Sequence, residues 1–95
     1  MFSKNKAERL HFKKRMSERY GLDISRENIV RIVKIIQRNQ SIFTIKQSNT
    51  RSIHFISYAD RVIPMVYDKL RKELVTALPA TKFGNIIEML EWRKK

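Results

Sequence analysis

Residues 42–79 read IFTIKQSNTRSIHFISYADRVIPMVYDKLRKELVTALP, and the period of this stretch decides the fold. Its apolar residues alternate, and β-branched and aromatic side chains are frequent, which is the pattern of strands rather than helices. It divides into four strands, Ile42–Gln47, Arg51–Tyr58, Arg61–Tyr67 and Glu73–Leu78, joined by Ser48-Asn49-Thr50, by Ala59-Asp60 and by the segment from Asp68 to Lys72. Links this short make neighbouring strands antiparallel hairpins. On the first strand Phe43 and Ile45 share a face. On the second Ile53 and Phe55 share one, with His54 and Ile56 opposite; on the third Ile63, Met65 and Tyr67 oppose Val62 and Val66. Pro64 conflicts with an interior place in the sheet, because it has no N–H to give to a ladder, and a bulge at that residue is the expected resolution.

Outside this stretch the period becomes helical. Asn5 and Glu8 have capping-box spacing, Phe12, Met16 and Tyr20 recur every four residues, and Gly21 suits a helix end, so a first helix is expected over about residues 5–20. Ser25 is the expected N-cap of a second helix, with Ile24 and Ile29 as its hydrophobic staple. Ile29, Ile32, Val33 and Ile36 form its apolar face, Arg31, Lys34 and Arg38 lie opposite, and it should end near Asn39. After Pro79, Thr81 is the expected cap of a last helix with an apolar stripe of Phe83, Ile86, Ile87 and Leu90; Met89 and Trp92 lie off that stripe. This helix either packs on the sheet, the favoured reading, or offers apolar surface to a partner. The fold class is α+β: two N-terminal helices, a four-stranded antiparallel sheet and a C-terminal helix, in a single domain spanning 1–95. The helices are expected on one sheet face, leaving the other open.

Composition narrows the chemistry. The chain has 95 residues and no cysteine, so disulfides, thiol catalysis and zinc ribbons are excluded. With two histidines, His11 and His54, neither a metal site nor any other cofactor is expected. No apolar run is long enough to span a membrane, and the start MFSKNKAERL has no hydrophobic segment of a secretory signal, so a cytoplasmic protein is expected. The net charge is +12 and is spread along the chain, with +5 over residues 1–20, +5 over 26–51 and +4 over 61–95. A folded domain this basic points to a polyanion, RNA or DNA, as partner; the bland alternative is a soluble cationic surface.

The only glycines are Gly21 and Gly84, so there is no Gly-rich phosphate loop, and no Ser-His-Asp signature stands out. Chemistry on phosphates remains. RNA self-cleavage needs a general base, a general acid and cations on the phosphate, roles suited to His and Arg. The stretch QSNTRSIHFISY supplies Asn49, Arg51, His54 and Tyr58. Strand parity sets Arg51 and His54 on opposite sides, while Lys46 and His54 share one across the first hairpin. Candidate catalytic residues are His11, His54 and Arg51. Candidate nucleic-acid contacts are Arg15, Arg19, Arg31, Lys34, Lys46 and Asn49. Each also has a plain structural reading, as a sheet histidine, a helix-border histidine or a solvated cation.

The order of elements, with His11, Arg15, Met16 and Arg19 in HFKKRMSER and with Val75-Thr76-Ala77-Leu78-Pro79 closing the last strand, resembles small toxin-type domains of the barnase–EndoU–colicin–RelE superfamily of ribonucleases. The resemblance covers roughly residues 10–79. It implies an RNA substrate, metal-independent cleavage, and a cleft lined by His11, Arg15 and Arg19 with Thr76 on the sheet opposite. Three functions follow as expectations: a small endoribonuclease of toxin type, a non-catalytic nucleic-acid-binding module or small mobile-element regulator, or a protein-interaction factor. The last would dock an acidic partner or a second copy through Phe83, Ile87, Leu90 and Trp92.

Overall fold

The computed structural model describes residues 4–94, and the side chains of residues 10–92. Helices α1 (Lys4–Tyr20) and α2 (Arg26–Gln37) precede strands β1 (Phe43–Lys46), β2 (Arg51–Tyr58), β3 (Arg61–Asp68) and β4 (Glu73–Ala77). A 3-10 turn (Ala80–Phe83) then leads into helix α3 (Gly84–Lys94). The strands form one antiparallel meander in the order β1-β2-β3-β4. The fold is therefore α+β with the expected element order. Among the described residues no helix is long and apolar enough to cross a membrane.

Local chemistry sets the helix ends. Gly21, at φ 63°, closes α1 with its N–H on the Ser17 carbonyl at 2.9 Å, the left-handed ending that glycine permits. The Ser25 hydroxyl accepts the Asn28 N–H at 3.2 Å and caps α2. Asn39, at φ 56°, ends α2: its N–H bonds Ile36 and that of Gln40 bonds Ile35, a Schellman pair. Thr81 does not cap α3. It lies inside the 3-10 turn, whose N-cap is Pro79 with no side-chain bond. The Asn5–Glu8 box lies outside the described side chains.

The sheet is covered on both faces, not on one. Phe12, Met16, Ile29, Ile32 and Ile36 of the first two helices, with Ile24 from the connection between them, pack with Ile56, Ile63, Met65, Tyr67, Leu74 and Ala77. On the other face Ile87 and Leu90 of α3 pack with Ile53, Phe55, Val62 and Val66, and Phe83 meets Phe55 edge-on at 5.4 Å between ring centroids. The helix stripe at Ile87 and Leu90 thus packs on the sheet, and Met89 and Trp92 point outward. The open platform expected from the sequence is closed. Strands β2 and β3 are consequently buried on both sides through most of their length.

Pro64 lies in the interior strand β3, opposite Phe55 of β2 in unbroken register, and the bulge falls elsewhere, between Val66 and Tyr67 against β4. The Pro64 carbonyl accepts the Leu78 N–H at 2.9 Å. In an antiparallel ladder the reciprocal bond would run from residue 64 to the Leu78 carbonyl, and proline cannot make it. The Tyr20 hydroxyl donates to that carbonyl instead, at 2.5 Å. Beside it the Arg19 guanidinium donates to the Ala77 carbonyl at 2.6 Å. The end of α1 thus completes the end of β4.

Tyr20→Phe leaves the Leu78 carbonyl without its donor and lowers stability by about 1–2 kcal/mol in urea denaturation. The β2–β3 turn is formed by Ala59 and Asp60, both at positive φ (52° and 60°), as a type I′ turn requires. Alanine is strained there by about 1–2 kcal/mol, whereas glycine gives back roughly half of that in chain entropy. Ala59→Gly should therefore stabilise the protein by about 0.5–1 kcal/mol, read as a rise in the urea midpoint with unchanged slope.

Candidate nucleic-acid interface

The β1–β2 and β3–β4 connections emerge at the same end of the sheet and are joined there. The Lys69 N–H bonds the Thr50 carbonyl at 2.7 Å. In the first connection, the Ser48 hydroxyl accepts the N–H groups of Thr50 and Arg51, at 3.3 and 3.1 Å, and fixes the loop. In the second, Asp68 Oδ1 accepts the N–H groups of Leu70 and Arg71 at 2.9 and 3.1 Å. The other carboxylate oxygen of Asp68 lies 3.8 Å from Arg51 Nε, an ion pair with one buried and one exposed partner. One buried aspartate thereby ties both connections together.

Around it gathers a cationic surface. Lys46 closes β1, Arg51 opens β2, and Lys69, Arg71 and Lys72 form the β3–β4 turn; all five side chains are exposed. The Gln37 side-chain amide donates to the Tyr67 hydroxyl at 3.1 Å and brings the C-terminal end of α2 over this end of the sheet. Lys34 of α2 and Lys72 line one groove of about 220 Å³ whose other walls are mostly apolar, Phe12, Ile29, Val33 and Leu74 among them. Asp68 and Glu73 are the acids of this end, and Asp68 is buried. Leu70, 78% exposed, stands at the tip of the turn between Lys69 and Arg71. The arrangement is cationic, with its two loops tied by main-chain and side-chain hydrogen bonds. It can hold a row of phosphates, with Arg51 and Arg71 as fork-shaped donors and the lysines as point charges.

Of the residues singled out in the sequence, Lys34, Lys46, Asn49 and Arg51 belong to this end. Arg31 lies beside Lys34 on the exposed face of α2. Arg15 pairs with Glu18 at 2.7 Å on α1, and Arg19 is engaged with Ala77 at the other end of the sheet's last strand. Thr76 pairs with Val66, and Val66 packs on the α3 side, so Thr76 is on the opposite face from α1. His11 is exposed on α1. Sequence reasoning passed over Lys69, Arg71 and Lys72. Three bases in four residues were the signal, but only the bond between the two loops shows that they join the first hairpin.

His54 is not on an open face. It shares a side with Lys46, as parity requires, but that is the side covered by α1 and α2, and the residue is only 7% exposed. Its Nδ1 is 2.8 Å from the Ser41 hydroxyl and 3.3 Å from that of Thr44, and its ring meets Tyr67 edge-on at 5.8 Å. Nε2 is buried and has no hydrogen-bond partner among the described residues. Arg51 lies on the opposite face. The structure therefore closes His54 away from any surface that His11 or Arg51 shares with solvent. Among the described residues, no three His, Asp or Glu side chains gather as metal ligands would.

Burial, and secondarily the Lys69 charge, holds the His54 pKa below the ordinary histidine value of 6.5. The unfolded chain then binds this proton more readily than the folded one, so stability is complete above the unfolded pKa and falls as pH drops toward the folded pKa. The slope should approach 1.4 kcal/mol per pH unit, an order-of-magnitude ceiling for one group, between those limits. Urea midpoints measured from pH 7.5 to pH 5 should decline for the natural protein, and His54→Phe, which keeps an aromatic ring against Tyr67, should flatten that decline. No protein-family model, no curated protein and no solved structure matches the chain, so the ribonuclease resemblance stands on its short sequence motifs alone.

Proposed function

We propose that this protein is a non-catalytic RNA-binding module that holds phosphates on the cationic end of its sheet. The observation that carries the reading is the joining of two basic connections, Lys46 to Arg51 and Lys69 to Lys72, by the Thr50–Lys69 backbone bond and the buried Asp68. Two ordered loops bound to each other present their cations at fixed spacing, which lowers the entropy lost when phosphates bind. Phosphate contacts of this kind give affinity without sequence readout. Compared with cleavage, holding is favoured because His54 is enclosed and neutral at pH 7, leaving His11 as the exposed histidine without a second one beside it. A domain that holds RNA works where RNA is, and the reading includes a cytoplasmic setting.

The test is binding to a single-stranded RNA across a salt series. Affinity should fall linearly with the logarithm of salt concentration. Each cation that neutralises a phosphate on a single strand contributes about 0.7 to the slope. The triple variant Lys46→Gln, Lys69→Gln, Lys72→Gln should lower the slope by about 2, and Lys82→Gln, on the turn before α3, should leave it unchanged. An unchanged slope in the triple variant overturns the assignment of this surface. RNA recovered intact after incubation without divalent metal supports the binding module. Cleavage that His11→Ala abolishes would instead establish the ribonuclease reading.

A further inference from the structure

We propose that the groove between α2 and the start of β4 takes one unstacked base of the bound RNA strand, with the neighbouring phosphates on Lys34 and Lys72. This inference rests on the proposed phosphate-holding function and names what the same surface binds besides phosphate. Helix α2 contributes Val30, Val33 and Lys34 to the groove, neighbours on one helix face. The start of β4 contributes Lys72, Glu73 and Leu74. Each of the two elements that bound the groove thus brings one lysine to it. The volume is about 220 Å³. That is below the roughly 300–1,000 Å³ that drug-sized ligands fill, so the groove suits a single ring system rather than an extended chain.

Charge selects the occupant. The groove interrupts a run of exposed cations. Lys69, Arg71 and Lys72 lie on its sheet side. On its helix side Arg26, Arg31 and Lys34, with Glu27 among them, surround a shallow depression that shares Val30 and Lys34 with the groove. An RNA backbone held by both sets crosses the apolar gap between them. The gap offers nothing to a phosphate, whereas the face of a base gains by leaving water for apolar side chains. Val30, 45% exposed, is open to such a contact. The polar groups of the groove are of both kinds. Lys34 and Lys72 are donors, Glu73 is an acid, and Gln37 gives its amide N–H to Tyr67 while its carbonyl is an acceptor. Glu73 disfavours a carboxylate or phosphate inside the groove itself. A base carries donors and acceptors on its edge and keeps its charge outside, on the phosphates.

A short single-stranded RNA and an inorganic polyphosphate with the same number of phosphates separate base from phosphate. Val30→Phe fills the groove from an exposed position and leaves every cation in place. It should lower affinity for the RNA about five- to tenfold, near the low end of what one stacked base contributes. Affinity for polyphosphate and the salt slope for RNA should not change. An unchanged RNA affinity, or an equal loss for both polyanions, would overturn the base site. The natural protein gives a second reading that needs no variant. Its Val30, Val33 and Leu74 methyl resonances should shift on addition of adenosine 5′-monophosphate and stay in place with ribose 5-phosphate, which has the phosphate and no base. Equal shifts with both compounds, or shifts with hexanoate and none with the nucleotide, would also overturn it, the latter giving the groove to an amphipathic anion. The two readings fail separately. An unchanged salt slope in the triple lysine variant counts against the phosphate surface, whereas loss of the difference between RNA and polyphosphate in the natural protein counts against the base alone.

Discussion

The missing N–H of Pro64 is the constraint around which the sheet is completed. A proline in a strand with neighbours on both sides normally forces a bulge or a broken ladder. Here the unmade bond falls at Leu78, the last residue before Pro79, where the ladder is ending anyway. The Tyr20 hydroxyl supplies the absent donor, and Arg19 supplies the next one outward, to Ala77. A local defect in β3 thus fixes where α1 must end relative to β4. The Gly21 turn follows at once and sends the chain into α2 with Ile24 buried. Burial raises the Tyr20 pKa, with Arg19 as the largest opposing influence, so the hydroxyl stays protonated and able to donate across the physiological range. The position of the first two helices therefore depends on a hydrogen bond made necessary by one residue in the third strand.

Closure of the sheet on both faces decides where function can be. With α1 and α2 on one side and α3 on the other, the strand faces are spent on packing, and only edges and ends remain for partners. His54 shows the consequence. Its parity is the one expected, yet the face it occupies is covered, so the group best suited to acid–base chemistry becomes a neutral core residue held by two hydroxyls. The cations have the opposite fate. Strand ends and turns cannot be buried without leaving main-chain groups unpaired, and Lys46, Arg51, Arg61, Lys69, Arg71 and Lys72 fall there.

The sequence made the element order, the four strands, the caps of α2 and the outward positions of Met89 and Trp92 legible, because each is set by local period or by residues within one turn of helix. The placement of α3 was not legible as read, since an apolar stripe says what a helix buries but not which side of the sheet receives it. A trace of the answer was present. Val62-Ile63-Pro64-Met65-Val66-Tyr67 is a nearly continuous apolar run, and Ile53 to Phe55 with Ile56 is close to one; strands buried on both faces read this way, whereas a half-open sheet alternates. No bulge is needed at Pro64 because the Tyr20 hydroxyl, from a distant helix, supplies the donor that proline lacks, a contact no local pattern carries. Likewise the candidate interface required Lys69 to meet Thr50, residues 19 apart in sequence.

Asp68 explains why six cations can be gathered at one end of so small a domain. Like charges at a strand end repel, and at a net charge of +12 that repulsion acts against the compact state. A surface acid would be screened and contribute little. Asp68 is instead buried, with two backbone N–H groups on one oxygen and Arg51 near the other, so its negative charge works at low dielectric on the loops that carry the cations. Asp68 and Glu73 carry two negative charges against the six cations of this end, Lys34, Lys46, Arg51, Lys69, Arg71 and Lys72. Anions from outside would relieve repulsion that Asp68 and Glu73 leave, and a ligand that binds the native state alone stabilises it by mass action. On the proposed reading, folding and phosphate binding would be coupled at this end of the sheet. The excess of positive charge weakens the free domain through self-repulsion, and on the proposed reading the same charge would be the source of affinity for a polyanion laid across the two loops.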